Sequence, residues 1–418
     1  MAPAAQGGVG VSTGRLKIEW ARQYMPVLSS IRQEFEVGRP LDSLTVGMAL
    51  HVEAKTAVLV ETLAAAGAEV HITGCNPLST QDDVAAELNE VPGVHCYAKR
   101  GATVEEYYHA IDRVLEARPS ITVDDGMDLI HALHTKRREL LQGVIGGCEE
   151  TTTGVHRLRA MAAAGALAFP VLAVNDTPMK RYFDNVHGTG ESALAAIMIT
   201  TNVLMAGKNL VIAGYGFCGR GLARKAAGLG ARVIVTEVDP RTALQAHMDG
   251  FAVMTMDEAA PLGHIFITTT GNIGVITRRH FPLMRDGAIL ANAGHFNVEI
   301  DGKWLEEHAD SVVRRDGIDS YRFGDRSLHL LADGRLVNLA TPKGMGHPVE
   351  VMDLSFALQA LSTRYIAEKG KSLAPGVHEV PAAIDGEVAL LKLATLGLSI
   401  DHLTGEQVEY QKSWGQGT

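Results

Sequence analysis

Chemically active side chains are concentrated in the segment VNDTPMKRYFDNVHG, residues 174–188. Lys180 and Asp184 are accompanied there by a second aspartate and two asparagines within eleven positions. A lysine and an aspartate four residues apart lie on the same face of a helix. They form either a solvated surface ion pair or a pair that exchanges protons with a substrate. The sequence on either side of this segment helps to decide between these two hypotheses.

Polar side chains also follow the strands predicted in the first part of the chain, which alternate with helices. The strand candidates are TVGMALHV (45–52), EVHITGC (69–75), ITVDDG (121–126), VIGGC (144–148) and FPVLAVND (169–176). The polar residues at their ends are His51, Asn76, Asp125, Glu150 and Asn175. Because ligands of open α/β sheets bind beyond the carboxyl ends of the strands, this pattern predicts a polar crevice at that edge.

A glycine-rich loop within NLVIAGYGFCGRG (209–221) joins a predicted strand to a predicted helix. Gly214, Gly216 and Gly219 form GxGxxG, and Glu237 ends the next strand eighteen residues later. Such glycines let the backbone approach a pyrophosphate at a helix N-terminus, and the acid accepts hydrogen bonds from ribose hydroxyls. The complete strand–turn–helix–strand–acid pattern predicts a Rossmann domain that binds NAD.

Length and composition indicate a two-domain α/β protein of 418 residues. The net charge of −10, without a long run of like charges, argues against nucleic acid or an anionic membrane as partner. Four cysteines without CxxC spacing indicate buried thiols in a reducing compartment, and no metal site is expected. The chain shows no secretory signal, and its longest apolar run, residues 161–174, is too short for a bilayer. We therefore expect a cytoplasmic protein.

Several blocks, in chain order and over nearly the whole length, resemble the adenosylhomocysteinase family. They are NPLSTQD (76–82), VDDGMDL (123–129), EETTTGVHRL (149–158), VND…K…FDN (174–185), GYGxxGRG (214–221), VIVTEVDPRTALQAHMDG (233–250), AGHFNVEI (293–300), DGRLVNL (333–339) and GHP (346–348). The chain is most similar to the shorter archaeal and thermophile type, some members of which are thought to act on S-inosylhomocysteine.

The resemblance implies a discontinuous α/β substrate-binding domain with an inserted Rossmann domain. The expected boundaries are 1–186 and 345–375 for the substrate-binding domain, 187–344 for the NAD-binding domain and 376–418 for a small C-terminal oligomerisation segment. By the same resemblance, that last segment crosses to a neighbouring subunit of a homotetramer.

The implied chemistry starts with transient oxidation of the ribose 3′-hydroxyl of a purine nucleoside by bound NAD. The ketone acidifies the C4′ hydrogen, the 5′ substituent is eliminated, water adds, and the ketone is reduced again. No net redox change occurs, so NAD stays tightly bound and is recycled. The leading function is thus reversible hydrolysis of S-adenosylhomocysteine, or its inosyl counterpart, to nucleoside and homocysteine.

The resemblance also gives individual residues expected roles. Lys180 and Asp184 would handle the 3′-hydroxyl, which requires a lysine whose pKa is lowered by burial or positive charge. Asp125 and His51 would be the acid–base pair around C4′ and C5′, with His295 beside the reacting centre. The expected substrate contacts are Glu53, Lys55, Thr56, Glu150, Met345 and His347. The expected NAD contacts are Thr151, Thr152, Thr153, Asn185, Gly214, Gly216, Phe217, Cys218, Gly219, Glu237, Asn272, Ala293 and Asn338.

Glu53 and Lys55 stand where longer family members carry a threonine and a glutamate. With adenine, Glu53 would accept from the exocyclic amine and Lys55 would donate to N1. With hypoxanthine, Glu53 would accept from N1–H and Lys55 would donate to O6. Either purine therefore fits, and a solvated ion pair at a helix start is the other interpretation.

Further departures from the family pattern are Asn297, His187, Pro178 and a slightly longer segment at 340–348. Gathered around one pocket, they would change the substrate or the outcome. The alternative function is a nucleoside dehydratase that stops after elimination and yields an unsaturated nucleoside, as in angustmycin-type antibiotic biosynthesis. A third is an NAD-binding regulator, which the presence of all the candidate catalytic residues disfavours.

Overall fold

The computed structural model describes residues 11–415, whose strands form two sheets. Residues 1–10, which bear on the expected lack of a secretory signal, lie outside the described part. The strands are β1 (Thr45–Ala49), β2 (Glu69–Thr73), β3 (Val94–Cys96), β4 (Ile121–Asp124), β5 (Gly146–Glu149), β6 (Pro170–Ala173), β7 (Asn209–Ala213), β8 (Arg232–Thr236), β9 (Ala252–Val253), β10 (Ile265–Thr268), β11 (Ala288–Asn292), β12 (Ser311–Arg315), β13 (Ile318–Phe323), β14 (Arg326–Leu331) and β15 (Gly376–His378).

Helices cover both faces of each sheet, as the alternating sequence pattern predicts. They are α1 (Thr13–Gln23), α2 (Pro26–Gly38), α3 (Ala54–Ala65), α4 (Asp82–Leu88), α5 (Val104–Glu116), α6 (Asp128–Thr135), α7 (Thr152–Ala163), α8 (Pro178–Lys180), α9 (Thr189–Thr201), α10 (Phe217–Gly228), α11 (Pro240–Met248), α12 (Met256–Ala259), α13 (Gly302–His308), α14 (Val337–Ala340), α15 (Val349–Lys369), α16 (Ala382–Thr395) and α17 (Gly405–Lys412). Among residues 11–415, none of them has the length and apolarity that crossing a membrane requires.

The first sheet has seven parallel strands in the order β15-β6-β5-β4-β1-β2-β3. Strands β4, β5 and β6 are buried along their whole length, which is typical of a parallel sheet covered on both faces. One apolar core packs α1–α4, α15 and α16 on this sheet, and another packs α5–α7. Strands β1–β6 of this sheet precede the second sheet along the chain, and β15 follows it, so one α/β unit is inserted into another.

The second sheet has the order β12-β13-β14-β11-β10-β7-β8-β9, with β12, β13 and β14 paired antiparallel to one another. From β14 to β9 the strands are parallel and have the order of a doubly wound dinucleotide-binding sheet. Alternate side chains of β7 enter opposite cores, with Leu210 and Ile212 on one face and Val211 on the other. The predicted Rossmann fold is confirmed.

Part of the C-terminal segment expected over 376–418 belongs to the first sheet. Strand β15 pairs in parallel with β6, and α16 follows it. Val380, Ile384 and Val388 recur every four residues and are buried in the first core, so this stretch folds back on the substrate side. The boundary at 375 therefore lies too early.

The segment that contains Lys180 is helical. Helix α8 begins at Pro178, whose fixed φ suits a first helical position, and Thr177 caps it by accepting from the Lys180 N–H at 3.3 Å. A π-helical stretch, Arg181–Gly188, then leads directly into α9. Such π-helical turns occur frequently at functional sites.

Candidate active site

A cavity of about 1050 Å³ lies between the two sheets and is lined by residues of both. Asp125, Glu150 and Asn175 line it from beyond the ends of β4, β5 and β6. Gly214 and Glu237 line it from beyond the ends of β7 and β8. The predicted crevice at the carboxyl ends of the strands is confirmed, and it is shared by the two sheets.

With two exceptions, every sequence-predicted site residue lines this cavity. The side chain of Met345 is exposed instead, and only its carbonyl oxygen faces the site, accepting from Lys55 Nζ at 2.8 Å. Gly219 lies beneath the glycine loop, where a Cβ would come within 2.0 Å of the Gly214 carbonyl oxygen. Gly219 lets the helix pack closely on the strand and does not itself line the cavity.

Lys180, Asp184 and Glu150 form a buried ion cluster on the cavity wall. Lys180 Nζ lies 3.0 Å from Asp184 Oδ2 and 3.8 Å from Glu150 Oε1. Their residue exposures are 5%, 1% and 5%, so the solvated surface pair is the wrong interpretation of Lys180 and Asp184.

The cluster is held in place from the C-terminal side of the chain. Ser355 Oγ donates to Asp184 Oδ2 at 2.9 Å, and Gln359 Nε2 donates to Glu150 Oε2 at 2.5 Å. His347 contacts the other oxygen of Asp184 through Nδ1. Because each carboxylate is fixed by a neutral donor, the positions of both are set before any substrate arrives.

Charge in this cluster is distributed unequally. Burial raises the pKa of Glu150 to about 8. Burial would also raise the pKa of Asp184, but Lys180 and His347 hold it below its usual value. Burial opposes the ammonium of Lys180, yet the two carboxylates outweigh it and raise the lysine pKa. The lowered pKa that Lys180 requires as a base is therefore not reached in this arrangement, in which Lys180 is a cation beside an ionised Asp184.

A second group of titratable side chains faces the same cavity. Asp125 lies between two histidines, with Oδ2 3.5 Å from His51 Nε2 and Oδ1 3.5 Å from His295 Nδ1. Ser79 Oγ lies 2.7 Å from His51 Nδ1 and orients that ring. Burial lowers the pKa of His51 to about 4, so its imidazole is neutral near pH 7 and can accept a proton.

Two buried carboxylates shape the turn that presents Asp125. Asp124 accepts from the Ile130 N–H at 2.8 Å and from the Asp125 N–H at 3.0 Å, and burial raises its pKa to about 7. Glu149 accepts from the Gly126 N–H at 2.9 Å. Gly126 has φ +102°, and a Cβ there would come within 2.3 Å of His295 Nε2, so only glycine allows this close approach.

Glu53 and Lys55 are both helix-start residues and cavity residues. Glu53 caps α3 by accepting from the backbone N–H groups of Lys55 and Thr56. Lys55 Nζ lies 2.7 Å from Glu53 Oε2, and the two side chains are only 7% and 5% exposed. The pair is therefore not solvated, and it presents one carboxylate and one ammonium to the cavity.

The second sheet offers the features that a dinucleotide requires. Gly214 has φ +96°, and Gly216, where a Cβ would meet nothing within 4 Å, precedes the N-terminus of α10. Glu237 accepts from the Tyr215 N–H at 2.8 Å, which holds its carboxylate at the end of β8. Among residues 11–415, the side-chain carbonyl oxygens of Asn185 and Asn338 are buried without a hydrogen-bond partner. These residues fit NAD, because both asparagines line the cavity and have acceptors available to an amide group of the cofactor.

Three of the four departures from the family pattern lie outside the cavity lining. Pro178, His187 and Asn297 are exposed and do not line the cavity. In the longer segment at 340–348, His347 does line it. The expectation that the substituted positions gather around one pocket is therefore wrong for these three residues.

Sequence reasoning missed Ser79, Asp124, Glu149, Ser355 and Gln359. A signal for two of them was present, because Ser355 and Gln359 lie four residues apart within the apolar stretch LSFALQAL, residues 354–361. Asp124 and Glu149 stand immediately before the predicted Asp125 and Glu150. Because successive side chains of a strand point to opposite faces, these two carboxylates point away from Asp125 and Glu150.

The fold and the site together define an α/β enzyme with an NAD-binding Rossmann domain facing a second parallel-sheet domain. Residues 185–344 match the family described as "S-adenosyl-L-homocysteine hydrolase, NAD binding domain", and residues 10–145 match "S-adenosyl-L-homocysteine hydrolase". This chain belongs to the S-adenosyl-L-homocysteine hydrolase family, and NAD is its cofactor.

Curated relatives extend the similarity over almost the whole chain. A protein of Methanosarcina acetivorans named S-inosyl-L-homocysteine hydrolase is 59% identical over 98% of each chain. One of Methanopyrus kandleri with the same name is 59% identical over 97% of this chain and 96% of its own. A protein of Halobacterium salinarum named adenosylhomocysteinase is 58% identical with the same coverage. The family resemblance read from the sequence blocks is confirmed.

Proposed function

We propose that this protein catalyses the reversible hydrolysis of S-adenosylhomocysteine or S-inosylhomocysteine to the nucleoside and homocysteine. The observation that carries the proposal is the pair of buried titratable clusters, Lys180–Asp184–Glu150 and His51–Asp125–His295, that line a single cavity with the dinucleotide loop. Relatives with hydrolase names at 58–59% identity support it.

The first cluster suits the ribose 3′-hydroxyl. When bound, NAD supplies the acceptor and later the donor of the hydride at C3′. Lys180 Nζ would first release a proton to water and then accept the hydroxyl proton, and Asp184, ionised and 3.0 Å away, would balance the charge of the resulting ammonium. Glu150, with its pKa raised to about 8, carries a proton near pH 7 and donates it to a ribose oxygen. Positive charge brought close to Lys180 would lower its pKa and let Nζ accept.

The second cluster suits C4′ and the 5′ position. His51 is neutral at pH 7 because burial lowers its pKa to about 4. Its Nε2 atom lies 3.5 Å from Asp125 Oδ2, so the two side chains can pass a proton between them and form an acid–base pair. His295 lies on the other oxygen of Asp125, where it can exchange a proton with that carboxylate. Elimination needs a base at C4′ and an acid at the leaving group, and this group of three supplies both.

Glu53 and Lys55 are the residues that we assign to purine recognition. Their buried pair offers one acceptor and one donor, which satisfy the Watson–Crick edge of adenine or of hypoxanthine. The lysine ammonium is held additionally by the Met345 carbonyl at 2.8 Å, so the base contact and the 340–348 segment are coupled.

The nucleoside dehydratase and the NAD-binding regulator receive less support. Of the departures that motivated a dehydratase, Pro178, His187 and Asn297 are exposed, and only the 340–348 segment borders the cavity. A regulator would not need two buried titratable clusters facing the cofactor loop. The curated relatives are hydrolases by name, which favours neither alternative.

A product screen tests the proposal. Purified protein with its bound nucleotide is incubated with adenosine plus homocysteine, with inosine plus homocysteine, and with each nucleoside alone. A thioether product is expected, and the rate ratio between the two purines identifies the natural base. Incubation in heavy water should exchange the C4′ hydrogen. An unsaturated nucleoside without a thioether would overturn the hydrolase proposal in favour of the dehydratase.

We further propose a homotetramer located in the cytoplasm. Exposed apolar side chains in the C-terminal part support burial against another subunit: Leu390, Leu396, Leu398, Ile400, Leu403, Tyr410 and Trp414. The four free cysteines suit a reducing compartment. Sedimentation of the full chain against a variant ending at residue 395 would test the assembly, with a tetramer expected only for the full chain.

A further inference from the structure

A group of metal-ligating side chains lies at the edge of the first sheet, on strands β2 and β3. In the parallel register of these strands, His71 stands directly opposite His95. Glu69 precedes His71 by two residues and so projects from the same face. The strand pairing itself therefore brings one carboxylate and two imidazoles together.

The distances within this group match the coordination of a small divalent ion. Glu69 Oε1 lies 3.2 Å from His71 Nε2 and 3.4 Å from His95 Nε2. Zinc bonds of about 2.0–2.1 Å in tetrahedral geometry separate neighbouring ligand atoms by about 3.3 Å. The imidazole rings are stacked with centroids 4.4 Å apart, and both Nε2 atoms lie beside the same Glu69 oxygen.

The surroundings of His71 fix which of its nitrogens is available. Its Nδ1 lies 2.8 Å from the Tyr97 hydroxyl, which leaves Nε2 for the shared carboxylate. The guanidinium of Arg113 lies over the Tyr97 ring at 4.9 Å and holds it in place. Ligating histidines characteristically use the second nitrogen for such an orienting hydrogen bond.

The group is open on one side. The side chain of His71 is 10% exposed, whereas those of Glu69 and His95 are 56% and 48% exposed. An ion could enter from solvent and keep water as its fourth ligand, and the buried histidine would limit its freedom to leave.

We propose that Glu69, His71 and His95 form a binding site for Zn²⁺ or a similar first-row divalent ion that ties the edge strand β3 to β2. The site is separate from the catalytic cavity, which none of the three residues lines. It would stabilise the folded protein in proportion to ion concentration, because the unfolded chain does not hold the three ligands together.

The test uses the holoenzyme, first treated with a chelator, and compares wild type with His95→Gln. The matched control is His109→Gln, an exposed histidine of the same domain that lies outside the group. Zn²⁺ binding is measured by equilibrium dialysis. The active site contains its own ligand-type group, His51, Cys75 and Asp125, so sites are counted by difference.

We expect wild type and His109→Gln to bind one Zn²⁺ more than His95→Gln, or to bind it about tenfold or more tightly. Thermal melting should rise with Zn²⁺ in the first two proteins and rise less in the third. Anomalous scattering at the zinc edge should place an ion between Glu69, His71 and His95. Unchanged binding in His95→Gln, equal loss in His109→Gln, or an anomalous peak only in the active site would overturn the proposal.

Discussion

Replacing Lys180 with methionine tests whether the buried cluster is both structural and catalytic. Methionine keeps the length and apolar stem of the side chain but removes the ammonium that lies 3.0 Å from Asp184 and 3.8 Å from Glu150. Removing one partner of a buried ion pair costs about 3–5 kcal/mol. We expect the low end of that range, because Glu150 can stay protonated and Asp184 keeps the Ser355 hydroxyl as donor.

Thermal melting with bound nucleotide is the first assay. A loss of about 3 kcal/mol corresponds to a fall in melting temperature of roughly 3–6 °C for a protein of this size. The matched control is Lys225→Met, which removes an ammonium 2.9 Å from Glu191 on the surface. That exposed pair should contribute less than about 1 kcal/mol.

Substrate-dependent reduction of the bound nicotinamide, followed by absorbance, is the second assay. Loss of a positioned proton-transfer group should slow it by about 10²–10⁴-fold in Lys180→Met and leave it unchanged in Lys225→Met. If the melting temperature of Lys180→Met equals that of the wild-type protein, Lys180 does not stabilise a buried ion network. If it is stable to the expected degree but reduces its nicotinamide at the normal rate, Lys180 has no role at the 3′-hydroxyl.

Three further substitutions probe the site. Because the Glu150 pKa is raised to about 8, the contribution of Glu150 to stability is fully present below the unfolded pKa of about 4.3 and is lost as pH rises through 8. The difference in unfolding free energy between wild type and Glu150→Gln, measured by urea unfolding, should therefore fall by up to about 1.4 kcal/mol per pH unit between those two values. A difference that does not change with pH would contradict the raised pKa. Gly126→Ala should lose activity by more than about tenfold through contact with His295, whereas Gly101→Ala, with φ +74° and free space, should bear backbone strain only and keep its activity. Glu237→Gln should release nucleotide on dialysis faster than wild type, and equal retention would remove Glu237 from the ribose site.

Features encoded by a short stretch of sequence could be predicted. The glycine loop and Glu237 needed only a strand, a turn and a helix in succession, and the structure places all of them as expected. Asp125 and Glu150 were found because strand ends converge at one edge of a parallel sheet. These inferences rest on geometry that neighbouring residues impose on one another.

Features that depend on distant partners could not be predicted. The ionisation of Lys180 is set by two carboxylates, one of them thirty residues earlier in the chain, and no local rule gives their distances. The helical path through Arg181–Gly188 is likewise a tertiary outcome, since it packs against α10 and α15. The requirement for a lowered lysine pKa came from the role that the family resemblance implies for Lys180, and such a role does not give the positions of the neighbouring carboxylates.

The buried cluster is assembled from residues that lie on both sides of the Rossmann domain in sequence. Ser355 and Gln359 hold Asp184 and Glu150 from α15, which lies beyond the entire Rossmann domain in sequence. The first sheet is completed on that same return by β15. A chain that ended after the Rossmann domain would therefore retain the nucleotide loop but leave both carboxylates without their donors. The proton-handling cluster can form only once the chain has returned to the first sheet, so binding of nucleotide and competence for chemistry are separable properties of this fold.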